Sequence, residues 1–138
     1  MSRRNTHITT HTLPKAARLK GEKNIQQLFS HQQRRNITAH PLRMVYILQP
    51  LDEGQSVVSV LFSVPKRRLH HATDRNRAKR QMREALRQQL HTLQQCMQRQ
   101  HPRQQLRIAL IWQSDTPHST PQVAQSMHHI LQRLGQQL

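Results

Sequence analysis

Three short apolar runs, with no long one, set the limits on how this chain can fold. "LRMVYILQ" (42–49), "QSVVSVLFS" (55–63) and "QLRIALIW" (105–112) have strand length and are rich in β-branched residues. In the second run Val58, Val60 and Phe62 share one face while Val57, Ser59 and Leu61 share the other, the alternation of a β-strand. Pro50 and Pro65 close the first two runs, and the short "PLDEG" between them predicts an antiparallel hairpin. The third run is the most apolar, which predicts a central strand. A fourth strand within "RRNITAH" (34–40) is left open by the pattern.

The intervening segments carry the helical period instead. Ile25, Leu28 and Phe29 in "EKNIQQLFSH" stand at i, i+3 and i+4 and predict a short amphipathic helix. A long helix is predicted from Thr73 or Asp74, either a suitable N-cap, into the high nineties, with Pro102 as its break. At the angular step of an α-helix, Ala78, Met82, Ala85, Leu86, Leu90 and Leu93 fall within an arc of roughly 140°. A last helix follows the loop "QSDTPHST", capped by Ser119 or Thr120 and stopped by Gly135, with Val123, Met127, Ile130, Leu131 and Leu134 as its buried stripe. The order α-β-β-α-β-α predicts an α+β domain, a small sheet packed by helices. With 34% apolar residues the core is small: one domain over 18–138, preceded by a flexible basic arm at 1–17.

Charge narrows the function. Lys and Arg number 22 against six Asp and Glu, a formal net charge of +16. Self-repulsion of that size calls for a polyanionic partner, nucleic acid before membrane. No apolar run approaches the roughly 18 residues a spanning helix needs. The N-terminus has no apolar core of a secretory signal. The single cysteine, Cys96, cannot form an internal disulfide and reads as a half-buried helix residue, which fits the cytoplasm.

The charge concentrates in "SVPKRRLHHATDRNRAKRQMREALR" (63–87). Nine Lys or Arg meet two acids there, Asp74 and Glu84. Asn76, Arg80, Arg83 and Arg87 project within about 60° of one another, beside the buried arc. Lys66, Arg67 and Arg68 come just before. Guanidinium groups fork onto phosphate oxygens and stack on bases, and an Asn can read a base edge or a 2′-hydroxyl. Glu84 is the sole acid between residues 75 and 114, so self-pairing along the helix is scarce and a grip on a phosphate backbone is favoured.

Other chemistry is not expected. Of the eleven histidines, His7 and His11 are spaced i,i+4 without a further donor, and the adjacent pairs His70–His71 and His128–His129 diverge on a helix. The acids Glu22, Asp52, Glu53, Asp74, Glu84 and Asp115 are too scattered for a two-metal nuclease. Phe29, Phe62 and Trp112 are core residues by default.

"DRNRAKRQMRE" (74–84), after Ala72 and "FSVPKRR" (62–68), resembles the signature of the bacterial ribonuclease P protein subunit family. "RLKGEKNIQQLF" (18–29) is similar to that family's opening segment and first helix, "HPLRMVYIL" to its first strand, and "RIALIW" with the helix after it to its closing elements. The resemblance implies a fold like the second domain of a small-subunit ribosomal protein, with a left-handed βαβ crossover. It also implies that the protein carries no catalytic residue and no metal. The catalytic RNA cleaves the 5′ leader of precursor tRNA with Mg²⁺ that the RNA binds.

Carried over by position, Arg75, Asn76, Arg77, Lys79, Arg80 and Arg83 would contact the ribonuclease P RNA, with Lys66, Arg67 and Arg68 beside them; Arg87 joins this RNA-binding set from the projected ridge. A cleft between the first helix and the sheet would hold the leader, with Arg18, Lys20, Ile25, Phe29 and Tyr46 as its residues; Tyr46, Val45 and Arg43 stand as alternatives for the first-strand position facing it. Ile25 stands where the family commonly has Phe, and "SHQQ" follows Phe29 in place of a glycine-containing turn. The implied partners are ribonuclease P RNA and precursor tRNA, with no membrane and no obligate protein partner. The alternative function is a structural RNA-binding protein, ribosomal or of ribosome assembly, sharing the fold.

Overall fold

The computed structural model describes residues 22–138. The predicted arm at 1–17, with Arg18 and Lys20, lies outside the described residues, as does the side chain of Ile25. The elements are α1 (Glu22–Ser30), β1 (Arg35–Ala39), β2 (Leu42–Pro50), β3 (Val58–Ser63), α2 (Ala72–Arg87), α3 (Leu90–Gln100), β4 (Gln104–Trp112) and α4 (Thr120–Gln137). The described residues thus form an α+β fold, four strands in one sheet with four helices.

Strand order is β1-β2-β4-β3. β4, the most apolar run, pairs with β2 antiparallel and with β3 parallel, which fits its predicted central place. The hairpin predicted for 42–63 does not form, because β4 separates β2 from β3. Adjacent strands usually pair, but an internal position buries β4 on both faces and satisfies both its edges. The link at 51–57 has only to step over one strand, about 10 Å. Gly54, at φ 83°, supplies the left-handed residue its turn needs. The hairpin that does form joins β1 to β2 through His40 and Pro41 and uses the "RRNITAH" segment, with Ile37 buried at its centre.

Parallel pairing of β3 with β4 requires a crossover, and α2 with α3 provides it. These two replace the single long helix expected from the apolar spacing. The break falls at Gln88 and Gln89, where Gln89 leaves the helical region with φ −116° and ψ 0°. No Pro or Gly marks it; the turn re-aims Leu90, Leu93 and Met97 into the core. α2 begins one residue before Thr73, with His71 at the N-cap and no side-chain cap. Asp74 falls in the first turn, where a carboxylate suits the positive end of the helix. α4 has the predicted cap: Ser119 Oγ accepts from Gln122 N at 3.3 Å, and Gln122 Oε1 accepts from Ser119 N at 3.2 Å. Gly135 does not stop it; the helix continues to Gln137.

The sheet has two different faces. Ile37, Met44, Tyr46, Val60, Ile108, Leu110 and Trp112 share a core with α2, α3 and α4. On the opposite face Val45, Ile47, Leu61, Ala109 and Ile111 pack with Leu28 of α1, and Phe29 lies half-buried beside them. α2 is tied to the start of α4 by Gln81, whose amide donates to His118 O at 2.9 Å and to Thr120 Oγ1 at 3.2 Å. No helix of the described residues is long and apolar enough to cross a membrane.

Candidate RNA interface

The basic link between β3 and α2 is an ordered turn. Val64 and Leu69 are buried and anchor it at both sides. Between them the Arg68 and Leu69 amides donate to Pro65 O at 3.0 and 3.3 Å, which lifts Lys66 and Arg67 into solvent. Arg68 is half-buried and pairs with Asp115 at 3.1 Å. Arg75 reaches back from α2, its Nη1 donating to Leu69 O and His70 O, each at 2.9 Å.

On α2 the docked face is Ala78, Gln81, Met82, Ala85 and Leu86. Asn76, Arg77 and Arg80 are exposed and Lys79 is half-buried. Lys66, Arg67, Arg77, Lys79 and Arg80 form no ion pair with an acid of the described residues. The ridge expected from Asn76 to Arg87 is not uniform. Arg83 is half-buried, its guanidinium carbon 5.7 Å from the centre of the Phe62 ring. Arg87 is paired with Glu84, Nε to Oε2 at 3.0 Å, and that hydrogen bond raises its pKa from the ordinary value. The exposed guanidinium groups of α2 therefore gather toward its start, next to the link.

The second surface is the groove between α1 and the sheet. Alternation along β2 puts Arg43, Val45 and Ile47 on the α1 side, and Tyr46 on the other. Tyr46 is 2% exposed in the helix-backed core, and its hydroxyl hydrogen-bonds the Gln137 side chain. Its assignment to the leader cleft is corrected: of the three alternatives on this strand, Arg43 and Val45 face the groove. Sequence could not decide this because both faces of β2 are apolar. Arg43 stacks over Phe29, 5.5 Å from its ring centre, and is held there by Asn36 Oδ1, which accepts from Nε at 3.0 Å and Nη2 at 2.7 Å. Farther along the groove, Arg107 Nη1 donates to Gln27 Oε1 and Gln49 Oε1, each at 3.4 Å, and burial lowers its pKa. Asn36 and Arg107 are site candidates that periodicity alone did not single out.

A cavity of about 160 Å³ joins the two surfaces. Phe29, Arg43, Arg67, Arg68 and Gln113 line it together. The aromatic end of the groove and the basic link thus open onto one space. Among the described residues, no three of His, Cys, Asp and Glu come together as a metal site.

Comparison with known proteins meets this geometry. No curated protein matches the chain. Solved structures share its fold, two of them of one protein. The Staphylococcus aureus RNase P protein is 18% identical over 87% of this chain and 96% of its own, with a TM-score of 0.58. A mutant of that protein with defective mRNA degradation activity is 20% identical over 87% and 89%, with a TM-score of 0.60. The family model described as Ribonuclease P matches residues 13–135. The chain belongs to the ribonuclease P protein family.

Proposed function

We propose that this chain binds the catalytic RNA of ribonuclease P through the link and the start of α2, and that the α1 groove receives the single-stranded 5′ leader of precursor tRNA. The observation that carries the reading is the continuity of the surface. The link that carries exposed Lys66 and Arg67 runs from the start of α2, with its exposed Arg77 and Arg80, to a cavity lined by Arg67 and Arg68, where Phe29 and Arg43 offer a stacked pair. Guanidinium and ammonium groups neutralise phosphates and release counterions, and an aromatic ring accepts any base by stacking. A protein of this charge lowers the repulsion between two RNAs, so the ribozyme holds its substrate at lower Mg²⁺. The same groups repel a metal cation, so Mg²⁺ is assigned to RNA phosphates and the chemistry to the RNA.

The test is reconstitution. Added to a bacterial ribonuclease P RNA at low Mg²⁺, the chain is expected to stimulate removal of the 5′ leader from precursor tRNA. No stimulation, with tight binding to ribosomal RNA instead, would transfer the protein to the structural RNA-binding class.

A further inference from the structure

We infer that Arg75 is a positioning residue. It braces the link so that Lys66 and Arg67 are already placed for phosphate, and it is not itself a main phosphate contact. The inference rests on the proposed RNA-binding reading of the link. Arg75 opens the Arg-Asn-Arg sequence, yet it is half-buried where Asn76 and Arg77 are exposed. Both hydrogens of its Nη1 are committed to the chain's own carbonyls, Leu69 O and His70 O, at 2.9 Å each.

Those carbonyls sit where a brace is needed. The N-cap residue His71 makes no side-chain cap, so α2 lacks the usual fastening between its first turn and the chain before it. Arg75 supplies that fastening from inside the helix with charge-assisted bonds, the stronger kind. Leu69 is 3% exposed, which leaves its carbonyl little access to water. With the bonds in place, the turn that lifts Lys66 and Arg67 is fixed against both β3 and α2. A link ordered before binding does not have to be ordered by the RNA, and that difference appears as affinity. An arginine that acts this way adds to binding without releasing a full counterion of its own.

The experiment compares Arg75→Ala, Arg75→Lys and Arg77→Ala in the full chain. It measures affinity for ribonuclease P RNA across salt, and amide exchange of Arg68 and Leu69 in the free protein. For Arg75→Ala, binding is expected to weaken about fivefold to tenfold, with the log–log salt slope changed by well under one unit. Its Arg68 and Leu69 amides exchange faster. Arg75→Lys, which can donate to the same carbonyls, recovers most of both effects. Arg77→Ala lowers the slope by about 0.7 to 0.9 of a unit and leaves the exchange as it was. A full-unit slope loss in Arg75→Ala with unchanged exchange overturns the brace and makes Arg75 a contact. If none of the variants alters RNA affinity, the RNA-binding reading of the link falls. The brace is still judged by exchange, where parent-like rates in Arg75→Ala refute it.

Discussion

Phe29 and Tyr46 are the two rings the sequence offers for stacking on a base, and the pleat of β2 turns Tyr46 away from the groove in which Phe29 of α1 lies. Phe29 lies half-buried under Arg43 in the groove, whereas Tyr46 is enclosed with α4. Phe29→Ala is expected to cost about 1–3 kcal/mol of the affinity that depends on the leader. Comparing precursor tRNA with a leaderless tRNA measures it, and affinity for the catalytic RNA alone should hold. Tyr46→Phe should instead cost about 1 kcal/mol of folding stability through the lost bond to Gln137, with RNA binding intact. Burial raises the Tyr46 pKa above 10.0, against a smaller lowering by Arg35. The folded chain therefore keeps the phenol proton longer than the unfolded one. Stability is full below pH 10.0 and falls as pH rises through the raised value. As the sole tyrosine, Tyr46 reports this by tyrosinate absorbance. A midpoint at or below 10.0, or the same alkaline loss of stability in Tyr46→Phe, would contradict it. In the candidate site, the basic residues were legible as residue type and spacing, but not that Arg83 lies over Phe62 or that Arg87 pairs with Glu84. Which side of β2 faces the groove was not, since Met44 and Val45 are equally apolar.

At the scale of elements, local chemistry predicted ends better than partners. The capping box of α4 is written in Ser119 and Gln122, and Ser119→Ala should cost about 1 kcal/mol, read as a fall in melting temperature of about 4 °C. The break between α2 and α3 left no such mark, because Gln88 and Gln89 are ordinary helix residues. It is set by where Leu90 and Leu93 must pack. β1 is a similar case: five residues with a single buried aliphatic side chain, Ile37, give a weak pattern, and the strand exists because β2 offers it an edge. Ile37→Ala should therefore destabilise the domain by about 2–4 kcal/mol, measured by denaturant unfolding. A cost near zero would mean that β1 adds little to the sheet. The misplaced hairpin has the same origin, since pairing is decided by which strand needs both edges covered.

For the whole molecule, the sheet is a device for bringing distant segments to one end. β3 ends into the link, β4 ends into the loop that carries Asp115, and β2 begins next to Arg43. Net charge predicted a polyanion without saying where it binds. The fold exposes Lys66 and Arg67 on the link, with Arg67 lining the Phe29 cavity, and Arg77 and Arg80 on the first half of α2, while Arg99 and Arg103 lie exposed at the α3–β4 corner. This gives a charge-matched comparison. Affinity for ribonuclease P RNA is measured across salt for Arg77→Ala/Arg80→Ala and for Arg99→Ala/Arg103→Ala. The first pair is expected to lower the salt slope by about 1.4 to 1.8 units and weaken binding, and the second to stay near the parent. Equal losses from both pairs would show that binding follows net charge alone, and would contradict a grip located on α2 and its link.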